Sequence, residues 1–215
     1  MAGYFFFGMG REMDLFAKQD GERTEKLQPL AARMRPSGLD EVVGQDHILG
    51  KGKLLRRAIE ADRLGSIILY GPPGCGKTSV AEAIAAATRR RFERTSGVLA
   101  NVAALRALLS AARQRQSSEG VETILFIDEI HHFNKSQQDI LLPHVEDGSV
   151  TLIGATTHNP FFFINSPLTS RSQVFQLQPL SEEAVMQLVC RSLSDPRGLA
   201  GYNVDLDDAA LRHFY

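Results

Sequence analysis

A chain of 215 residues, 43% hydrophobic and 23% charged, can bury the core of one α/β domain with length left for part of a second. Its formal net charge of −1 excludes the global basic field that announces nucleic acid, so any such contact must be local or shared among neighbouring subunits. Two cysteines, Cys75 and Cys190, cannot build a disulfide framework, and no apolar run approaches the ~18 residues of a membrane span, so a soluble, cytoplasmic protein without a membrane partner is expected.

Residues 1–26 read as a disordered or loosely packed tail, polar from Lys18 to Lys26; residues 1–12 differ in character from the rest of the chain, and Met13 offers an alternative start. From Leu30 the chain is punctuated by turns, first through Leu30-Ala31-Ala32-Arg33-Met34-Arg35-Pro36 and then from Leu39 to Leu49. Residues 53–63 carry Leu54, Leu55, Ala58 and Ile59 at helical spacing and stop before Gly65. Ile67-Ile68-Leu69-Tyr70 comes next as a buried strand, and the alanine-rich run 78–88 as a helix. Between them stands Gly71-Pro72-Pro73-Gly74-Cys75-Gly76-Lys77-Thr78, which has the G-x-x-x-x-G-K-[ST] spacing of a phosphate-binding loop. Glycines at 71, 74 and 76 let the backbone curl until successive N–H groups face phosphate oxygens. The helix adds the positive end of its dipole, Lys77 a mobile ammonium, and Thr78 a hydroxyl for Mg²⁺. The residues expected to touch nucleotide are therefore 71–78, with Ser79 beside them.

Arg89, Arg90, Arg91 and Arg94 stand after this helix; they admit a nucleic-acid patch, but cations also complement the C-terminus of a helix, and that is the expectation here. Residues 92–95 predict a short strand, and 102–115 an amphipathic helix with Val102, Leu105, Leu108, Leu109 and Ala112 inward, ended by Ser117-Ser118-Glu119-Gly120. Thr123-Ile124-Leu125-Phe126-Ile127 is an apolar strand that ends in Asp128 and Glu129. Beside a phosphate loop this is a Walker B motif. Alternation sends the two acids different ways, so that Asp128 holds Mg²⁺ through water and Glu129 orients and deprotonates the water that attacks the γ phosphorus. His131, His132, His144 and His158 invite a metal reading, but no HExxH or CxxC spacing supports one, and loop or core histidines are expected. Residues 135–145 predict a helix interrupted by Pro143, Asp147-Gly148 a turn, and 150–157 a strand ending in hydroxyls. On propensity alone Thr157 is a strand former; if this strand lies between the other two, Thr157 reaches the attacking water. Asn159-Pro160 turns the chain, and Phe161-Phe162-Phe163 is expected to pack a loop rather than stack on bases. Arg171, a solvated loop charge when taken by itself, leads into a strand at 174–177. Ser181 caps a helix through Val185, Leu188, Val189 and Leu193, which Asp195-Pro196-Arg197-Gly198 breaks, and a last helix begins at Leu206.

With these pieces in order the sequence resembles the AAA+ ATPases, and among them the replication-associated recombination protein A family, also called MgsA. The more specific residues are Pro29 to Pro36, His132-Phe133-Asn134-Lys135-Ser136-Gln137-Gln138-Asp139, Glu146-Asp147-Gly148, and Ile153-Gly154-Ala155-Thr156-Thr157-His158-Asn159-Pro160. The resemblance implies an α/β P-loop NTPase: a three-layer sandwich over residues 27–180 with a five-stranded parallel sheet in the order 5-1-4-3-2, then the start of a helical lid over residues 181–215. It implies ATP and Mg²⁺ as cofactors, Val42 and Val43 lining the adenine pocket, and Thr157 as the sensor 1 residue. It implies that Arg171 is an arginine finger acting on a neighbour's γ phosphate, so that hydrolysis depends on assembly.

The same resemblance implies single-stranded DNA ends or forks and single-strand-binding protein as partners. It also implies a homo-oligomer, tetrameric in full-length family members, placed on the nucleoid. The family pattern runs on beyond Tyr215, through a sensor 2 arginine and an oligomerising region. Glu12-Met13-Asp14-Leu15-Phe16 resembles the short peptide by which replication proteins dock on the sliding clamp, with Leu15 and Phe16 as the pocket-filling pair. Three functions are open: a DNA-dependent ATPase of fork maintenance, recombination and repair; a nucleotide-gated adaptor with little turnover; or a Holliday-junction motor or clamp-loader subunit, against which residues 134–139 argue.

Overall fold

Five strands, β1 (Ile67–Tyr70), β2 (Arg91–Ser96), β3 (Thr123–Asp128), β4 (Val150–Thr156) and β5 (Gln173–Gln176), pair in parallel in the order β2-β3-β4-β1-β5. The computed structural model describes residues 28–202 together with residues 204, 206, 207 and 210. The central strands β1, β3 and β4 are apolar almost throughout because helices cover both faces of the sheet. The edge strands β2 and β5 mix exposed and half-buried positions.

Alternation along the strands sorts the core into two layers. Ile67, Leu69, Ile124, Phe126, Ile153 and Ala155 pack with Leu55 and Ile59 of the helix Leu54–Glu60 and with Val80, Ala81 and Ile84 of the helix Lys77–Ala86. Ile68, Leu125, Ile127 and Leu152 face the other way, onto Leu105, Leu109 and Ala112 of the helix Val102–Glu119 and Leu141 of the helix Lys135–Glu146. Each of the buried Val, Leu, Ile and Phe side chains among these stabilises the sandwich by about 1.5–3 kcal/mol relative to its exposed state. The sheet order and the two helical layers are those the resemblance implied.

The register decides what meets at the carboxyl edge. Ile67 stands opposite Ile153 and Gln173, and Ile127 opposite Gly154, so β1, β3 and β4 end nearly level. The ladder continues one residue past three strands. Gly71 N–H donates to Thr156 O at 3.2 Å, Leu177 N–H to Tyr70 O at 2.8 Å, and Gly97 N–H to Asp128 O at 2.7 Å.

Several local expectations are corrected. Pro143 does not interrupt its helix, which runs from Lys135 to Glu146; the proline sits in the last turns, and its carbonyl still accepts from Asp147 N–H at 3.0 Å. The helix from Val102 continues to Glu119 because Ser117 and Ser118 donate their hydroxyls back to Gln114 O within the helix, and Gly120, at φ +68°, ends it. Leu54 is 65% exposed, because one residue before Leu55 it stands about 100° around the helix from the face that buries Leu55 and Ile59. β4 stops at Thr156, one residue short of Thr157. The arginines do not cap a helix, since no basic residue lies in the last turn of Lys77–Ala86. Arg91 and Arg94 belong to β2. Arg90 pairs with Glu122 at 3.0 Å and Asp62 at 3.4 Å, and donates to Thr151 Oγ1 at 2.7 Å and Leu64 O at 2.9 Å.

Chain contacts divide the molecule into residues 36–187, which hold the sheet, and a unit of residues 28–35 with those from 188 onward. In the latter, Arg33 Nη1 donates to Gly198 O at 3.2 Å and Arg191 Nη2 to Met34 O at 3.3 Å. The helix Glu182–Ser194 ends where expected. Asp195 beyond it accepts from the Arg197 backbone and guanidinium, which hold its carboxyl down at about 2. The helix expected over 206–215 falls where only residues 206, 207 and 210 are described, and Leu15 and Phe16 lie outside the described residues.

Candidate nucleotide site

β4 lies between β1 and β3, so three segments remote in sequence meet at neighbouring strand ends: the glycine loop after β1, the two acids at the end of β3 and the two threonines at the end of β4. In the loop, Gly74 and Gly76 adopt φ +77° and +94°, left-handed conformations open to glycine at no steric cost. Gly71 has a different constraint: a Cβ there would come within 2.6 Å of Leu177 O. Pro72, Pro73 and Gly74 form the exposed crest, Cys75 is buried beneath it, and Thr78 and Ser79 are half-buried in the first turn of the following helix. Lys77 is only 8% exposed and bends back into the loop, donating to Gly71 O at 2.8 Å and Pro72 O at 2.9 Å. A curled backbone, a helix N-terminus and a buried ammonium together fit a polyanion.

Asp128 ends β3 on the face of Phe126, the side of the loop helix. Its Oδ2 lies 3.3 Å from Arg94 Nη2, and Arg94 also reaches Glu82 at 3.4 Å and sits 5.6 Å over the Phe126 ring. Glu129 leaves the strand at φ 52°, ψ 48°, a left-handed conformation uncommon for a residue with a side chain. Gly97 permits this turn, because a Cβ at position 97 would strike Glu129 O.

His131 joins the second and third segments. Its Nδ1 lies 3.1 Å from Thr156 Oγ1 and 3.1 Å from Glu129 Oε2. The first contact is an aligned hydrogen bond; the second is close but out of line, and Oε2 is shielded from solvent. Burial lowers the affinity of the His131 imidazole for a proton, and the neighbouring His132 and His158 lower it further, against the opposing pull of Glu129. Ring contacts with His132 at 4.2 Å, tilted, and with His158 at 4.4 Å, edge-on, complete a cluster, while His144 bonds Ser149 Oγ elsewhere. Among the described residues no group of three or more His, Cys, Asp and Glu side chains could hold a metal ion.

The remaining expected residues divide between those near the loop and those far from it. Val42 packs on the cluster that contains Cys75, Val80 and Ala81, and Val43 is half-buried next to it. Thr157 is the first residue beyond β4, half-buried, while the fully buried Thr156 carries the contacts. Arg171 is not brought to this site. It precedes β5 and lies at the opposite edge of the sheet, where it pairs with Glu146 at 2.7 Å and donates to Pro167 O at 2.9 Å. The three phenylalanines do not pack as expected, being 67%, 83% and 46% exposed; Phe163, the least exposed, stands 4.8 Å from the His158 ring.

Two glutamines are not legible in the sequence because a lone Gln carries no signal of its partners. Gln45, 2% exposed, donates to Cys75 O at 3.1 Å and Gln178 O at 2.8 Å and accepts from Gln178 N–H at 3.1 Å, tying the glycine loop to the exit of β5. Gln138 donates to Phe133 O and Phe163 O and accepts from Asn165 N–H, joining the segments that follow β3 and β4. Gln45→Ala leaves these backbone groups unpartnered, so a loss of about 2 kcal/mol is expected, read as a lower urea midpoint at unchanged slope.

Comparison with known proteins agrees with this geometry. Residues 67–180 match the model of the ATPase family associated with various cellular activities (AAA). The chain is 50% identical over 187 residues to replication-associated recombination protein A of Escherichia coli K12, and 42% identical over 189 residues to that of Bacillus subtilis. These alignments cover 86% and 87% of this chain but 42% and 44% of the relatives, so the chain spans about two-fifths of their length. The resemblance seen in the motifs is thus borne out. Among solved structures, the RuvB Holliday junction branch migration motor of Thermotoga maritima superposes with a TM-score of 0.65 at 31% identity, covering 83% of this chain and 58% of that one.

Proposed function

Because the chain belongs to the AAA family of ATPases, we propose that it binds ATP on residues 71–78 and hydrolyses it in DNA replication, recombination and repair. One observation carries the reading: the glycine loop, the acid pair and the threonine pair leave adjacent ends of β1, β3 and β4, with Gly71 N–H hydrogen-bonded to Thr156 O. In this reading the loop N–H groups and Lys77 hold the phosphates, Val42 and Val43 border the base, and Glu129 orients and deprotonates the attacking water. Thr157 contacts that water from the end of β4. Thr78 and Asp128 offer the hard oxygen donors that suit Mg²⁺, which when bound neutralises phosphate charge that would otherwise repel Glu129.

Arg171 lies at the far edge of the sheet from its own loop, so its role as a finger requires a neighbouring copy. The proposed assembly is a homo-oligomer, tetrameric in full-length family members, working on DNA ends or forks with single-strand-binding protein, on the nucleoid. Docking on the sliding clamp would use Leu15 and Phe16. The test is steady-state ATP hydrolysis with and without single-stranded and forked DNA, together with mass in solution. Arg171→Ala is expected to bind ATP normally and to lower turnover by about 10³-fold, with activity returning on mixing with Lys77→Ala subunits. A fully active monomer sinks the finger. Turnover near zero in every assembly favours the adaptor reading instead.

The structural likeness to RuvB favours a second reading, a Holliday-junction motor. The greater identity to the recombination protein A relatives supports the first, as does the resemblance of residues 134–139 to that family. Stimulation by four-way junctions but not by forks would reverse that order.

A further inference from the structure

We propose that His131 is a positioning residue for Glu129, holding the carboxylate in register with the end of β4 and, through Thr156, with the phosphate loop. The proposal deepens the reading of Glu129 as the base and rests on it. Four groups stand in succession between the acid and the loop. Glu129 Oε2 lies 3.1 Å from His131 Nδ1, which lies 3.1 Å from Thr156 Oγ1, and the carbonyl of that same Thr156 accepts from Gly71 N–H at 3.2 Å.

Local structure places the imidazole there. The left-handed turn at Glu129 starts the single 3-10 turn Ile130–His132, which brings His131 back beside the carboxylate. Ile130 anchors that turn; it is fully buried against Gly154 of β4, where an added Cβ would sit 3.1 Å from Ile130 Cδ1. The His131 side chain is 9% exposed and flanked by the rings of His132, His158 and Phe163, so Glu129 is the carboxylate it faces.

Hydrogen-bond counting selects the tautomer. Thr156 Oγ1 accepts from His158 N–H at 3.0 Å and can place its own proton on His158 O at 3.4 Å, which leaves a lone pair facing His131 Nδ1. A neutral imidazole protonated on Nδ1 therefore donates between Thr156 and Glu129. Burial and the two neighbouring histidines favour that neutral ring. Glu129 Oε2 has no solvent and no aligned donor in this arrangement, so a small rotation of the ring or carboxylate exchanges one hydrogen bond for the other. Movement at the end of β4 is thereby passed to the base.

The experiment combines imidazole ¹⁵N NMR with ATPase kinetics on the whole chain, comparing wild type with His131→Ala, His131→Asn, Thr156→Val and Glu129→Gln. In the wild type His131 is expected as the Nδ1–H tautomer, with nitrogen shifts that move in Glu129→Gln. His131→Ala is expected to lower kcat about 10- to 100-fold with KM changed less than about threefold, a split that a collapsed site does not produce. His131→Asn, whose amide nitrogen can stand where Nδ1 stands, recovers most of the loss, and Thr156→Val falls between. A ring protonated only on Nε2 and indifferent to Glu129→Gln overturns the proposal whether or not the chain turns over. If His131→Ala and His131→Asn keep wild-type kcat while Glu129→Gln is inactive, the base stands and the positioning role is wrong. An active Glu129→Gln protein removes the base, and the proposal with it.

Discussion

Lys77→Ala is expected to raise the Kd for ATP by at least about 100-fold, or about 2.7 kcal/mol, in a calorimetric titration. Two losses at one position set the size. The ammonium that meets the β and γ phosphates disappears, and so does the donor that Gly71 O and Pro72 O share at 2.8 and 2.9 Å within a loop otherwise shaped by glycine. Lys77→Arg separates the two. It keeps the charge, but the planar guanidinium does not fit a pocket in which the lysine is 8% exposed, so weak binding is expected there as well. Affinity within threefold of wild type in Lys77→Ala would show that the nucleotide binds elsewhere.

Glu129→Gln is expected to leave ATP affinity nearly unchanged and to lower single-turnover hydrolysis by about 10²- to 10³-fold. The substitution is close to isosteric, so the left-handed turn at φ 52° and its neighbours Gly97 and His131 keep their places. The capacity to take a proton is lost. Rapid filtration of radiolabelled nucleotide checks both halves, since the variant should retain ATP rather than ADP. Hydrolysis at the wild-type rate would take the base away from Glu129 without touching the assignment of the loop.

The structure bears out the strands and the sheet order anticipated from the chain, and most errors were confined to element ends. Pro143 shows why. A proline removes one N–H and crowds one carbonyl, which predicts a break, but Leu141 and the half-buried Leu142 and Val145 hold the last turns against the core. Ser117 and Ser118 mislead in the same way, since a hydroxyl that breaks one helix bonds back inside another. The arginines after the loop helix were misassigned because their partners Glu122, Asp62, Thr151 and Asp128 come from other parts of the chain.

By itself the sequence determined the glycine loop, the acid-ended strand, the hydroxyl-ended strand and the periodicity that makes a two-faced sheet, because backbone geometry sets these within a dozen or so neighbouring residues. Only the tertiary structure decided which atoms meet. It set Gln45 on Cys75 and on Gln178, 133 positions away, put His131 against Thr156, 25 positions away, and sent Arg171 to the edge opposite its own loop. Such pairings depend on strand order and register, and these are settled by the packing of the whole sheet rather than by any local run of residues.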